Sequence, residues 1–108
     1  AMMTKTVPSV LADLKQALAQ IYGERLKGVY AFGSYARGEA SPDSDLDVLI
    51  VLDHVESYRA EIKRTSHLIA ALSLDSGISL SRVFISEGEW LDGQTPFLLN
   101  VRDEAVPA

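Results

Sequence analysis

Hydrophobic positions along this chain switch between a helical and a strand-like period. From Val7 to Tyr22, Leu11, Leu14, Leu18 and Ile21 recur three or four residues apart and trace one apolar stripe, which predicts an amphipathic helix. Pro8 stands near its start, where a missing N–H does no harm, and Gly23 follows as a natural stop. Gly28–Phe32 is a short apolar run with β-branched and aromatic side chains, which predicts a buried strand ending at Gly33. Residues 33–44 read as a loop, with Gly38 and Pro42-Asp43 as its strongest turn signals. Asp45–Leu52 is the strongest strand of the chain. Its second half is apolar on both faces, so it belongs at the centre of a covered sheet.

Asp53–Ser76 reads as mainly helical. Tyr58, Ile62, Ile69 and Leu72 share one face, and Arg59, Glu61, Lys63 and Arg64 fall largely outside it. Ile78–Ile85 is a third strand. Ser86 caps a short helix to Trp90, with Glu89 completing a capping box. Thr95–Glu104 forms a last helix, with Thr95 as N-cap and Pro96 as its first residue. The order α-β-β-α-β-α-α predicts an α/β (α+β) fold, a small mixed sheet with helices packed on it. Residues 1–6 form a tail, in which Ala1 ahead of Met2 reads as a cloning remnant, and residues 7–108 form one domain.

Composition narrows the function. The chain has 108 residues, 47% hydrophobic and 23% charged, the mixture of a folded globular protein. A domain of this size buries roughly two-thirds of the surface its unfolded chain exposes, enough to fold without staples. It has no cysteine, so disulfides and thiolate metal sites are excluded. The net charge of -5 argues against stable nucleic-acid binding, which needs cations to neutralise phosphates. No run of about 18 apolar residues predicts a membrane span and no signal peptide is visible, so the expected compartment is the cytoplasm. His54 and His67 lack zinc-ligand spacing, and no GxxxxGK[ST] phosphate loop is present.

The informative segment is GSYARGEASPDSDLD, Gly33 to Asp47. A glycine at a strand end lets the backbone turn sharply and lets a ligand approach closely. A helical turn opening at Ser34 would point free N–H groups outward, where they attract phosphate. Asp45 and Asp47 are two apart in a predicted strand, so both lie on one face, roughly 6.6 Å apart along its axis. Two such carboxylates repel each other unless a cation sits between them, and Mg²⁺ takes one or two carboxylates plus substrate phosphates. Each half has an ordinary explanation on its own: Ser34 as a helix cap, the aspartates as surface acids. Ten residues separate Ser34 from Asp45. That spacing lets the two strands lie side by side, with the phosphate turn facing the acids.

Gly33-Ser34, ten residues and then Asp45-Leu46-Asp47, after an apolar strand, resembles the polymerase beta-like nucleotidyltransferase superfamily. The fuller pattern from Gly33 to Gly38 and from Ser44 to Leu49 is similar to its shortest branch, the minimal nucleotidyltransferases (MNT). These pair with HEPN-family proteins as toxin–antitoxin modules. The chain length and the segment Glu89-Trp90 … Pro96-Phe97-Leu98 also look like that branch.

The resemblance implies a fold and an activity: transfer of AMP from ATP to a tyrosine of a HEPN-family toxin. It implies nucleotide binding by Gly33 and Ser34, and Mg²⁺ (or Mn²⁺) held by Asp45 and Asp47 as the catalytic acids. Arg37 either touches a phosphate or braces the loop, for instance through Glu39. A homo-oligomer is compatible with the resemblance. One departure stands out. Strongly catalytic relatives carry a third carboxylate on the strand after the long helix, where this chain has Ser79 and Ser81. Either two acids suffice, or Asp75 or Glu87 reaches in, or the chain neutralises its partner by contact alone. A third reading is transfer to a small molecule of the aminoglycoside type, although 108 residues leave little for an acceptor pocket. Trp90, Phe97 and Leu98 are expected in the core, and Lys63 and Arg64 on a solvated helix face.

Overall fold

A computed structural model describes residues 5–108; Ala1 and the start of the predicted tail lie outside the described residues. The elements are α1 (Val7–Tyr22), β1 (Leu26–Phe32), β2 (Leu46–Leu52), α2 (Tyr58–Ser76), β3 (Leu80–Ser86), α3 (Glu87–Asp92), α4 (Pro96–Glu104) and β4 (Val106–Pro107). They form a four-stranded mixed sheet in the order β3-β2-β1-β4. β1 runs antiparallel to β2, with Phe32 opposite Asp47 and Leu26 opposite Leu52. β3 runs parallel to β2, with Ser81 opposite Asp47. The predicted fold class is the observed one.

β2 is central, as its double-sided apolarity requires. One face of the sheet takes Leu46, Val48, Ile50 and Leu52 into a core with Leu14 and Leu18 of α1 and Ile69 of α2. The other face takes Leu49 and Val51 into a smaller core with Leu98 and Val101 of α4. The caps at Ser86 and Thr95 are the predicted ones, whereas Thr6 and Ser57 were not foreseen and α2 begins at Tyr58, five residues later than the expected Asp53. Thr6 accepts from the Ser9 N–H, Ser57 from Ala60, Ser86 from Glu89 and Thr95 from Leu98.

Two helix faces differ from expectation. Tyr22, not Ile21, completes the buried stripe of α1, and Ile21 is 40% exposed. In α2 the buried stripe runs through Glu61, Thr65, Ile69 and Ser76, although Glu61 reads as a solvent-facing charge. The reason is partnership, because a buried polar group is tolerated when it is hydrogen-bonded. The Tyr22 hydroxyl donates to Glu61 Oε1 at 2.6 Å. Arg82 of β3 donates through Nε to Thr65 Oγ1 at 2.8 Å and through Nη2 to the Ile62 carbonyl at 2.7 Å. Tyr58, expected in the core, is nearly half exposed. β4 has no counterpart in the sequence reading. It is a two-residue edge strand on β1, and the Ala108 N–H donates to the Val29 carbonyl at 2.9 Å.

Candidate active site

β1 ends at Phe32, and Gly33 turns the chain with φ +77°, in the left-handed region that favours glycine. The turn is helical in character, with the Arg37 N–H donating to the Gly33 carbonyl at 3.1 Å. The N–H groups of Ser34, Tyr35 and Ala36 have no protein acceptor among the described residues. Backbone donors without a protein partner are the kind of group that meets a phosphate. The absent side chain of Gly33 matters for a second reason. A Cβ at that position would overlap Asp47 Oδ2, so the bend and the carboxylate are in direct contact.

An open cleft of about 720 Å³ lies over this contact. Gly33, Ser34, Arg37 and Asp47 all line it. Phe97, Asn100 and Glu104 of α4 also line it. Asp45 precedes β2 by one residue and is solvent-exposed. It does not line the cleft wall, so of the two aspartates Asp47 is the one built into it. Neither aspartate has a cationic partner at ion-pair distance among the described residues. The donor chemistry suits a hard divalent ion that completes its shell with phosphate oxygens and water. The pair Asp45 and Asp47 would hold it.

Of the two serines expected near a third carboxylate, Ser81 is level with Asp47 across the sheet. Its hydroxyl donates to Asp47 Oδ1 at 2.7 Å, which orients the carboxylate without adding charge. Ser79 lies before β3, where its carbonyl accepts from the Leu46 N–H. Neither alternative acid substitutes. Asp75 pairs with Lys5 at 2.8 Å, and Glu87 opens α3 without lining the cleft. Two acids that sequence reasoning missed, Asp103 and Glu104, line the cleft, and Glu104 reaches the bend. Its Oε2 accepts from the Gly33 N–H at 2.6 Å, and both its oxygens lie 3.2 Å from Arg37 Nη1. Arg37 also donates to Glu39 at 2.9 Å. These two acids, Glu39 first and Glu104 second, hold its guanidinium more firmly protonated than usual. The loop-bracing role and the cleft-facing role therefore coexist.

The aromatic residues divide. Leu98 is buried, Trp90 packs on Tyr30 with centroids 4.8 Å apart, and Phe97 stands edge-on to Phe32 while remaining 43% exposed at the cleft.

The pattern Gly33-Ser34 … Asp45-Leu46-Asp47 now has its geometry, and comparison with known proteins gives it a family. The model of the nucleotidyltransferase domain matches residues 11–92. The chain belongs to this family, in its minimal branch. It is 40% identical over 75 residues to the protein adenylyltransferase MntA of Thermococcus cleftensis, covering 68% of this chain and 74% of that one. A solved structure provisionally described as a minimal nucleotidyltransferase superposes with a TM-score of 0.59 at 28% identity, covering 100% and 99% of the two chains. A crystal structure of a toxin–antitoxin with AMP-PNP superposes with a TM-score of 0.62 over 88% of this chain and 69% of that one. At 19% identity this last likeness speaks for the fold alone. The nucleotidyltransferase family uses a nucleoside triphosphate and a divalent metal. The family match stops before α4, so Glu104 lies outside it.

A second, smaller cleft of about 330 Å³ opens at the opposite end of β1 and β2, lined by Arg25, His54, Glu56, Ser57, Ala60, Glu61 and Arg64. Here the charges are mutually paired. Arg64 Nε donates to Glu61 Oε1 at 3.0 Å, so Arg64 is not merely a solvated cation, and Arg25 Nε donates to Asp53 at 3.1 Å. Burial, and then the bond to Glu61, raise the Tyr22 hydroxyl well above its ordinary pKa. Burial also works to raise Glu61, but the hydrogen bonds from Tyr22 and Arg64 outweigh it and hold this carboxyl below its ordinary value. His54 sits with Asp53 and Glu56. No metal-ligating group of three forms among the described residues, at His54, at His67 or elsewhere. No helix is long and apolar enough to cross a membrane among the described residues.

Proposed function

We propose that this chain is a Mg²⁺-dependent (or Mn²⁺-dependent) antitoxin that transfers AMP from ATP to a tyrosine hydroxyl of a HEPN-family toxin, and that it works in the cytoplasm. The observation that carries the reading is the contact between Gly33 and Asp47 at the floor of the cleft. Backbone N–H groups without a protein acceptor stand there beside a carboxylate with no cationic partner at ion-pair distance among the described residues, which supports a site for phosphate and metal. The likeness to a protein adenylyltransferase supports the choice of a protein acceptor.

Gly33 and Ser34 would hold the outer phosphates, Arg37 would add a positive charge, and Asp45 and Asp47 would hold the metal. When bound, the metal neutralises the departing pyrophosphate and lowers the pKa of the attacking hydroxyl. The tyrosine oxygen bonds to the α-phosphorus, the α–β bridging bond breaks, pyrophosphate leaves and the hydroxyl proton passes to solvent. Ser81 keeps Asp47 in one rotamer for this task.

A second reading is inhibition of the toxin by contact alone. Ser81, a neutral residue in the place of the third acid, favours it. One experiment separates the two. The chain is incubated with its toxin, Mg²⁺ and ATP labelled at the α-phosphate. Label on the toxin that disappears with Asp45→Asn or Asp47→Asn supports transfer. Neutralisation of the toxin without label contradicts it and supports contact.

A further inference from the structure

We propose that Glu104 is a built-in competitor for the phosphate cradle, an anionic side chain that an incoming triphosphate must displace. The inference rests on the nucleotide-binding reading above and deepens it.

The Gly33 N–H is a single donor at the floor of the cleft, against Asp47. Glu104 Oε2 takes it at 2.6 Å, and the same carboxylate takes Arg37 Nη1 at 3.2 Å. A phosphate oxygen using these donors would need the same space. Carboxylate and phosphate are alike in what they offer a backbone N–H and a guanidinium, namely negative oxygens as acceptors. They are also alike in charge, so they repel. Among the described residues Arg37 is the only cationic side chain that lines the cleft, against Asp47, Asp103 and Glu104, so it cannot serve both anions fully.

The fold determines which part gives way. Helix α4 is pinned by Leu98 and Val101 in the core. Arg102 secures it further by donating to the carbonyls of Glu89, Trp90 and Gly93. Beyond the helix, β4 and the Ala108 N–H fasten the chain to β1. The helix therefore stays. The Glu104 side chain, about 22% exposed, swings out by rotation about its own bonds. A carboxylate in the last turn of a helix also gains nothing from the helix dipole. Its bond to Gly33, and not a helix-capping role, accounts for its placement.

Fluorescent methylanthraniloyl-ATP with Mg²⁺, and inorganic tripolyphosphate as a base-free competitor, test the inference on the full chain. Glu104→Gln removes the charge at nearly constant shape. Glu104→Asp keeps the charge but shortens its reach by one methylene. Both ligands are expected to bind Glu104→Gln about ten-fold more tightly than the native chain, the scale of one displaced charge-assisted hydrogen bond to a half-solvated partner. Glu104→Asp should gain several-fold, an effect that a purely long-range charge would not produce. Affinity unchanged or weakened in Glu104→Gln, with the native chain binding nucleotide, overturns this inference and leaves the proposed function standing. Binding absent from all three chains overturns both.

Discussion

The two ends of strands β1 and β2 use carboxylates in opposite ways. Beyond Leu52, Glu61 is 4% exposed and surrounded by partners: the Tyr22 hydroxyl at 2.6 Å, Arg64 at 3.0 Å and Arg25 at 3.7 Å. At the other end, Asp47 meets a serine hydroxyl and the bare α-carbon of a glycine, and Asp45 meets solvent. Both ends carry acids in clefts beside helical turns. The first cluster is closed on itself, with its charges cancelled inside the protein. The second leaves its negative charge for something else to cancel. The difference separates a charge that holds a fold from a charge that holds a ligand.

Substitutions at the two ends should therefore fail in different assays. The largest effect is expected from Asp47→Asn. Transfer of labelled AMP should fall at least about 100-fold, since even outer-shell partners of metal ligands are worth roughly 10- to 100-fold. The same variant should unfold within about 1 kcal/mol of the native chain, because the amide oxygen still accepts from Ser81. Glu61→Ala should show the reverse: a loss of about 2–3 kcal/mol in urea unfolding, from a stranded Tyr22 hydroxyl and an Arg64 left without its acid, with transfer per folded molecule preserved.

Gly33→Ala joins both failures. A side chain at φ +77°, crowded against Asp47, should cost about 1–2 kcal/mol and also depress nucleotide binding. A pH series sharpens the contrast further. Glu61 has a folded pKa below its unfolded value, so the folded state holds the proton more weakly. Its contribution is complete above the unfolded carboxylate value and is lost as pH falls through the lower folded one. Acid unfolding should begin earlier on the pH scale in the native chain than in a Glu61→Gln variant, measured relative to each protein's neutral stability. The smallest effect is expected from Ser81→Ala, roughly a ten-fold loss of transfer, through a less well oriented Asp47.

Most of the candidate site was legible because it is local. Gly33, Ser34 and Asp47 lie within one strand–loop–strand unit and line one cleft; Asp45, read as the first residue of the strand, stands one residue before it and is exposed, outside the period of two that places Asp47. α1 was legible from its period and from its proline and glycine boundaries. Glu61 was not, because a charged residue on a helix reads as solvated unless its partners are known, and Tyr22 lies 39 residues away. β4 was hidden by its length of two residues, one of them proline, below any periodic signal. Glu104 meets Gly33 across 71 residues. The sequence held one hint of it. Asp103 and Glu104 crowd the last turn of a helix, where the dipole favours cations, and such a mismatch asks what else those acids hold.

Everything turns on whether the metal-bearing nucleotide enters the cleft at Gly33 and Asp47. Amide spectra recorded with ATP and a substoichiometric amount of paramagnetic Mn²⁺ address that directly. Strong broadening is expected at residues 33–35, 45–48 and 81, with Arg25, Ser57 and Glu61 unaffected. Broadening centred on the Arg25–Glu61 cleft, or none at residues 33–48, would contradict it.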